Sequence, residues 1–166
     1  MRVYIDFDDV LVNTHATIMK LKDHNQTDKE YINSCNWEHL LNKVDVINDS
    51  LKYLKTTKLD VYLLSKISTL NEGIAKIKYL RKNNVDIDIH LVPNILRKDD
   101  IVCAKDNILI DDKIYNLDNW TSKGGIGIFF SQDNDDMDIY GRVNTKYYKI
   151  SDLSILSSVK KIDMLL

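Results

Sequence analysis

Two apolar runs in this chain stop at paired carboxylates. Val3-Tyr4-Ile5 leads into Asp6-Phe7-Asp8, and Ile108-Leu109-Ile110 leads into Asp111-Asp112. Short apolar runs bounded in this way read as buried strands. Carboxylates at their ends are costly unless they are solvated, paired or bound to a cation. A third run, Leu59 to Leu64, stops at Ser65. Between these runs the pattern is helical: Val44, Ile47, Leu51 and Leu54 form one set, and Leu70, Ile74, Ile77 and Leu80 predict one apolar helix face. Strands alternating with helices favour right-handed βαβ units and a mostly parallel sheet. In such sheets chemistry gathers at the carboxyl ends of the strands. Asp6, Asp8, Ser65, Asp111 and Asp112 are therefore expected at one edge.

The remaining chain fits the same scheme. Val85, Ile87, Ile89 and Leu91 alternate with Asp86, Asp88 and His90, predicting a strand with one wet side that ends at Pro93. Gly124-Gly125 precede a strand at Ile126, Ile128 and Phe130, and a last helix, capped by Ser151, turns Leu153, Leu156, Val159 and Ile162 inward. The segment from Thr14 to about Asn42 is helical, rich in His, Asn and Lys, and reads as an insertion after the first strand. A length of 166 residues fits one domain over 1–166, and 44% hydrophobic with 29% charged residues is ordinary globular composition.

Charge narrows the partners. A net charge of −2 gives no basic footprint for a nucleic-acid polymer. No apolar stretch suited to a secretion signal follows the first residues, and no run approaches the ~18 apolar residues of a membrane span. The expectation is a cytosolic protein without a membrane partner, in which Cys35 and Cys103 are reduced, partly buried thiols.

With these motifs in place, the chain resembles the haloacid dehalogenase (HAD) superfamily, most of whose members are phosphatases. Asp6-Phe7-Asp8 matches its opening Asp-x-Asp motif, Ser65 in VYLLSKIS its second motif, a lysine before the fourth strand its third, and ILIDD its fourth. DFDDVLVNT, ILIDDKIYNLDNW and GGIGIFF are most similar to the deoxyribonucleotidase group of 5′-nucleotidases. Asp9 departs from that pattern, since many relatives carry Gly there.

The resemblance implies a three-layer, Rossmann-like α/β fold with a small helical cap at about residues 14–42. It implies a Mg2+-dependent phosphomonoesterase acting through an aspartyl-phosphate. Asp6 would be the nucleophile, and Asp8 the acid and base that protonates the leaving alcohol and then activates water. Mg2+ would be held by Asp6, Asp111 and the Asp8 carbonyl, with Asp112 orienting the metal shell. Ser65 and the amide of Lys66 would hold phosphate oxygens. The neutralising lysine is Lys98 or Lys105; Lys98 is favoured because it stands at the start of a helix that can reach the strand ends. The implied substrate is a nucleoside or deoxynucleoside monophosphate. Alternatives are another phosphorylated metabolite, a nucleic-acid end, transfer to an alcohol instead of water, and a binding module without turnover.

Other signals carry less. Gly124-Gly125-Ile126-Gly127 lacks the Gly-Lys-Ser/Thr of a phosphate loop and reads as a tight turn. Asp133, Asp135, Asp136 and Asp138 lack the ligand order of a calcium loop and read as a solvated acidic turn. The four histidines share no spacing, and only His15 stands near the first motif. Trp37 and Tyr31 are expected to pack the cap onto the core, with base stacking as the alternative. Tyr147-Tyr148 reads as core or edge packing.

Overall fold

The computed structural model describes residues 1–132 and 136–163. Its strands are β1 (Val3–Ile5), β2 (Val61–Ile67), β3 (Asp88–Pro93), β4 (Ile108–Asp111), β5 (Ile126–Phe130) and β6 (Tyr148–Ile150). Its helices are α1 (Thr14–Leu21), α2 (Asp28–Ser34), α3 (Trp37–Leu41), α4 (Ser50–Thr56), α5 (Leu70–Lys82), α6 (Lys98–Ile101), α7 (Ile114–Ser122) and α8 (Val159–Asp163), with a 3-10 turn at Ser154–Ser157. The sheet order is β3-β2-β1-β4-β5-β6, and every pairing is parallel.

Period-two alternation on the central strand makes three layers. Val3 and Ile5 face one core with Leu51 and Leu54 of α4 and Ala75 and Leu80 of α5. Tyr4 points the other way, into a second core with Leu117 and Trp120 of α7. The strand order reverses at β1, which pairs with β2 on one side and β4 on the other. Connections leaving those strands on opposite sides open a crevice at their carboxyl ends. This is the expected α/β architecture.

Several elements differ from their sequence readings. β2 continues through Ser65 to Ile67, because β3 runs alongside it as far as the Ile67–Pro93 pair. β3 begins at Asp88, not Val85, since the Arg81 guanidinium donates to the Val85 and Ile87 carbonyls and holds that stretch as a loop. β6 is an unexpected sixth strand: Tyr148 forms its half-exposed edge, while Tyr147 packs its ring against Gly127. Among the described residues Ser151 makes no side-chain cap bond, and Leu153 stands at the N-cap of the 3-10 turn. Asp152 Oδ1 accepts from the Ser154 amide instead, and the expected last helix divides into the 3-10 turn and α8. Leu153, Leu156 and Ile162 are buried as expected, and the side chain of Val159 lies outside the described residues.

The largest correction concerns α5. Leu70 is 79% exposed and Ile74 50%, while Glu72, Gly73, Ala75, Lys76 and Leu80 are buried. The small residues explain the rotation, because α5 lies so close to β2 and β3 that a Cβ on Gly73 would stand 2.7 Å from Leu91 Cδ1. The solvated acidic turn is also corrected at one position. Asp138 is 7% exposed; its Oδ1 accepts from the Tyr140 and Arg142 amides and its Oδ2 from the Ile114 amide. Asp136 is exposed, and Asp133 and Asp135 lie outside the described residues. Gly124 does form the tight turn, at φ 82°. Cys35 and Cys103 are free, and Cys103 is exposed instead of partly buried.

Candidate active site

Adjacent strand ends bring the separated motifs together. Asp6 continues the β1–β4 ladder by donating its amide to the Ile110 carbonyl at 3.0 Å. That bond places its carboxylate next to the end of β4. Lys98, the lysine favoured over Lys105, is the first residue of α6 and is 2% exposed. Its Nζ lies 2.5 Å from Asp111 Oδ2 and 3.1 Å from Asp6 Oδ2. Lys105 is exposed beside Gly124, at the amino end of β4 and on the far side of the sheet edge from these carboxylates.

The charges in this cluster act on one another. Burial alone would push Asp6 up, but Lys98, Lys113 and Lys76 outweigh it and hold the carboxyl below its usual range. Burial works against a charged Lys98, and Asp111 and Asp6 reverse that and raise it. Asp111 and Asp112 are both pushed up by burial, Asp112 strongly. Lys113 is raised well above its ordinary value because Asp112, Asp6 and Asp111 outweigh its burial.

Asp111 and Asp112 differ in their hydrogen bonds. Asp111 accepts from Lys98, from Asn116 Nδ2 at 3.0 Å and from the Lys113 amide at 2.9 Å. Both oxygens of Asp112 are buried without a hydrogen-bond partner, and the nearest cation is Lys113 Nζ at 3.6 Å from Oδ1. Asp6, Asp111 and Asp112 each present a carboxylate oxygen, all within 4.8 Å of one another. A cluster of buried carboxylate oxygens, one carboxylate unpartnered, fits a hard divalent cation such as Mg2+.

Asp8 is held by a different lysine from Asp6. Its Oδ2 accepts from Lys76 Nζ at 2.6 Å, and its Oδ1 is buried without a hydrogen-bond partner. The same Lys76 ammonium donates to Ser65 Oγ at 3.1 Å, to the Lys66 carbonyl at 3.0 Å and to Glu72 Oε1 at 2.6 Å.

A cleft of about 800 Å³ opens above these groups. Asp6, Asp8, Lys66 and Lys113 line its floor; Ile18, Ile32 and Trp37, from α1, α2 and α3, line it from the insertion between β1 and β2. Ser65 is fully buried and does not line the cleft, whereas Ser68 and Asn94 do. Tyr31 packs on the core without reaching the cleft. Trp37 packs the insertion, donating Nε1 to the Ile32 carbonyl at 3.1 Å, and lines the cleft as well. His15 and Asp9 also line it; Asp9 Oδ1 accepts the His15 amide at 2.9 Å. That bond caps α1, whose own N-cap residue Asn13 makes no side-chain cap bond.

Sequence reasoning missed Lys76, Glu72, Lys113 and Asn116. Lys113 could have been found, since it follows Asp111-Asp112 directly. The Glu72–Lys76 spacing, four residues apart on a helix, has the form of an ordinary surface pair.

No protein-family model matches the sequence, and no curated protein matches it. Solved structures match in fold. CbbY from Rhodobacter sphaeroides, in complex with phosphate, aligns at TM-score 0.60 and 10% identity over 98% of this chain and 98% of its own. YfnB from Bacillus subtilis, bound to magnesium, aligns at TM-score 0.60 and 11% identity over 93% of this chain and 96% of its own. A HAD-superfamily hydrolase of subfamily IA from Geobacter sulfurreducens aligns at TM-score 0.58 and 10% identity, covering 99% and 98%. The fold is thus the one found in these structures, HAD-superfamily hydrolases among them.

Proposed function

We propose that this chain is a Mg2+-dependent phosphomonoesterase acting through an aspartyl-phosphate on Asp6, with a nucleoside or deoxynucleoside monophosphate as substrate. One observation carries the reading: Asp6 lies at the floor of the cleft, held ionised by Lys98, beside an Asp112 carboxylate that has no hydrogen-bond partner. The fold shared with CbbY, solved with phosphate, and YfnB, solved with magnesium, supports the same chemistry.

In the first step an Asp6 oxygen attacks phosphorus, the bond from phosphorus to the ester oxygen breaks, and Asp8 gives the leaving alcohol a proton. In the second, Asp8 takes a proton from water as that water attacks phosphorus, and the acyl phosphate bond breaks to restore Asp6. Asp6, the Asp8 carbonyl and Asp112 would hold Mg2+, which when bound offsets the repulsion between carboxylate and phosphate dianion. Asp112 is assigned as a direct ligand because its oxygens are free to bind, while those of Asp111 are engaged by Lys98, Asn116 and the Lys113 amide. Lys66, Lys113 and Arg142 line the cleft as cations a phosphate would meet; Lys98 does not line it and acts on Asp6. Ser65 would join them only if its hydroxyl turned from Lys76 toward the cleft.

The substrate class rests on the cleft walls. A volume of about 800 Å³ lies within the ~300–1,000 Å³ of small-molecule sites. Helices α1 to α3 act as the cap, and Ile18, Ile32 and Trp37 give a nucleobase an apolar, aromatic wall. The test is phosphate release from nucleoside 5′- and 3′-monophosphates and sugar phosphates, with Mg2+, with chelator, and with Asp6→Asn. Mg2+-dependent release that favours a nucleotide and vanishes in the variant is expected. A preference for sugar phosphates would overturn the substrate, and full release by Asp6→Asn would overturn the mechanism.

A further inference from the structure

We propose that Lys76 is a positioning residue for Asp8, fixing the acid–base carboxylate through one oxygen and leaving the other for the reacting atoms. The inference rests on the phosphatase reading above and adds a residue to it.

The geometry is specific. Lys76 is 0% exposed, and its Nζ has four oxygens within 3.1 Å, on Asp8, Glu72, Ser65 and Lys66. An ammonium has only three hydrogens, so every donor is engaged. Phe7 and Trp37 close the remaining sides, with ring centroids 5.4 and 5.5 Å from Nζ. Glu72 anchors the lysine in turn, since its second oxygen, Oε2, accepts the Ser68 amide at 2.7 Å. A buried side chain held at this many points leaves Asp8 Oδ2 little freedom. Asp8 Oδ1 has no hydrogen-bond partner, and Asp8 lines the cleft. The carboxylate is thus anchored at one oxygen and free at the other. Asp99 also carries an unmatched buried oxygen in its pair with Arg97, but it does not line the cleft; Asp8 combines the unmatched oxygen with a place in the cleft beside Asp6.

The test compares wild type, Lys76→Met and Lys76→Gln on an alkyl phosphate (a nucleoside monophosphate) and on 4-nitrophenyl phosphate, whose leaving group needs little help from an acid. Lys76→Gln is made in parallel because it keeps donors for buried Glu72, and thermal melting checks the fold of both. The expected result on the alkyl ester is a kcat loss on the order of 100-fold with little change in KM, because a displaced acid forfeits most of its contribution. The loss on the aryl ester should be several-fold smaller. Adding either substitution to Asp8→Asn should lower kcat no further, because the residue being positioned is already gone. Equal losses on the two esters, or losses that multiply with that of Asp8→Asn, would overturn the positioning role. So would wild-type kinetics in a folded variant. A wild-type protein inactive on both esters overturns the phosphatase reading itself, and the positioning role falls with it.

Discussion

Asp111 and Asp112 are chain neighbours in opposite states: Asp111 accepts hydrogen bonds from Lys98, Asn116 and the Lys113 amide, while neither oxygen of Asp112 has a hydrogen-bond partner. The difference separates two substitutions that look alike in sequence. Asp112→Asn removes a strongly desolvated carboxyl that makes no hydrogen bond, and leaves Lys113 its attraction to Asp6 and Asp111, so the metal-free protein should melt at the same temperature or higher. Its Mg2+ requirement should rise more than tenfold. Asp111→Asn leaves Lys98 less compensated and should cost about 3 kcal/mol, since breaking a buried pair exposes the remaining charge to desolvation. Melting curves with and without Mg2+ check both, and an unchanged Mg2+ response in Asp112→Asn would remove it from the ligand set.

Lys98 and Lys105 separate as cleanly. Lys98→Met strips the cation from two buried carboxylates, Asp6 and Asp111, and should destabilise by about 3–5 kcal/mol while abolishing turnover. Lys105→Met alters an exposed side chain and should stay within about 0.5 kcal/mol of wild type, with activity retained. Urea melts and phosphate release measure both. Equal effects of the two substitutions would contradict the assignment.

The strand-end carboxylates were legible because short apolar runs that end in acid can hardly be anything but buried strands reaching a polar edge. The placement of Lys98 beside those carboxylates was legible from its position before β4. Lys76 was not, because Glu72 and Lys76 at helical spacing look the same on a wet face as on a buried one. What buries them is tertiary: α3 covers α5 from the insertion, and Gly73 lets α5 approach β2 and β3 closely. The same rotation left Leu70 and Ile74 outside, although periodicity alone placed them in the core. β6 has three residues, one of them lysine, too few for an alternation to register.

Asp138 shows how a charge run can hide a structural acceptor. Three backbone amides, of Ile114, Tyr140 and Arg142, donate to its carboxylate, and the first belongs to the opening residue of α7. Asp138→Ala should cost about 2–3 kcal/mol, from a lost helix cap and unsatisfied amides. Asp138→Asn keeps one acceptor oxygen and should cost less. Chemical denaturation orders the two variants, and a neutral Asp138→Ala would show that water replaces the carboxylate at no cost.

Asp9 supplies the clearest pH dependence. It takes a left-handed conformation, φ 57°, which glycine adopts at least cost and which Asn tolerates better than most residues. Burial, reinforced by Asp8, pushes its carboxyl up to about 6, from an ordinary value of 3.8. A folded-state value above the unfolded one means that the folded protein binds the proton more tightly. The associated stability is therefore full below the unfolded value near pH 4 and is lost as pH rises through about 6. At pH 7.5 the ionised group costs at most about 3 kcal/mol relative to its protonated form. Asp9→Asn keeps an oxygen for the His15 amide and removes the charge. It should raise the melting temperature above that of wild type at pH 7.5, and the two proteins should converge as pH falls toward 4. A constant difference between them across this range would show that Asp9 does not titrate there.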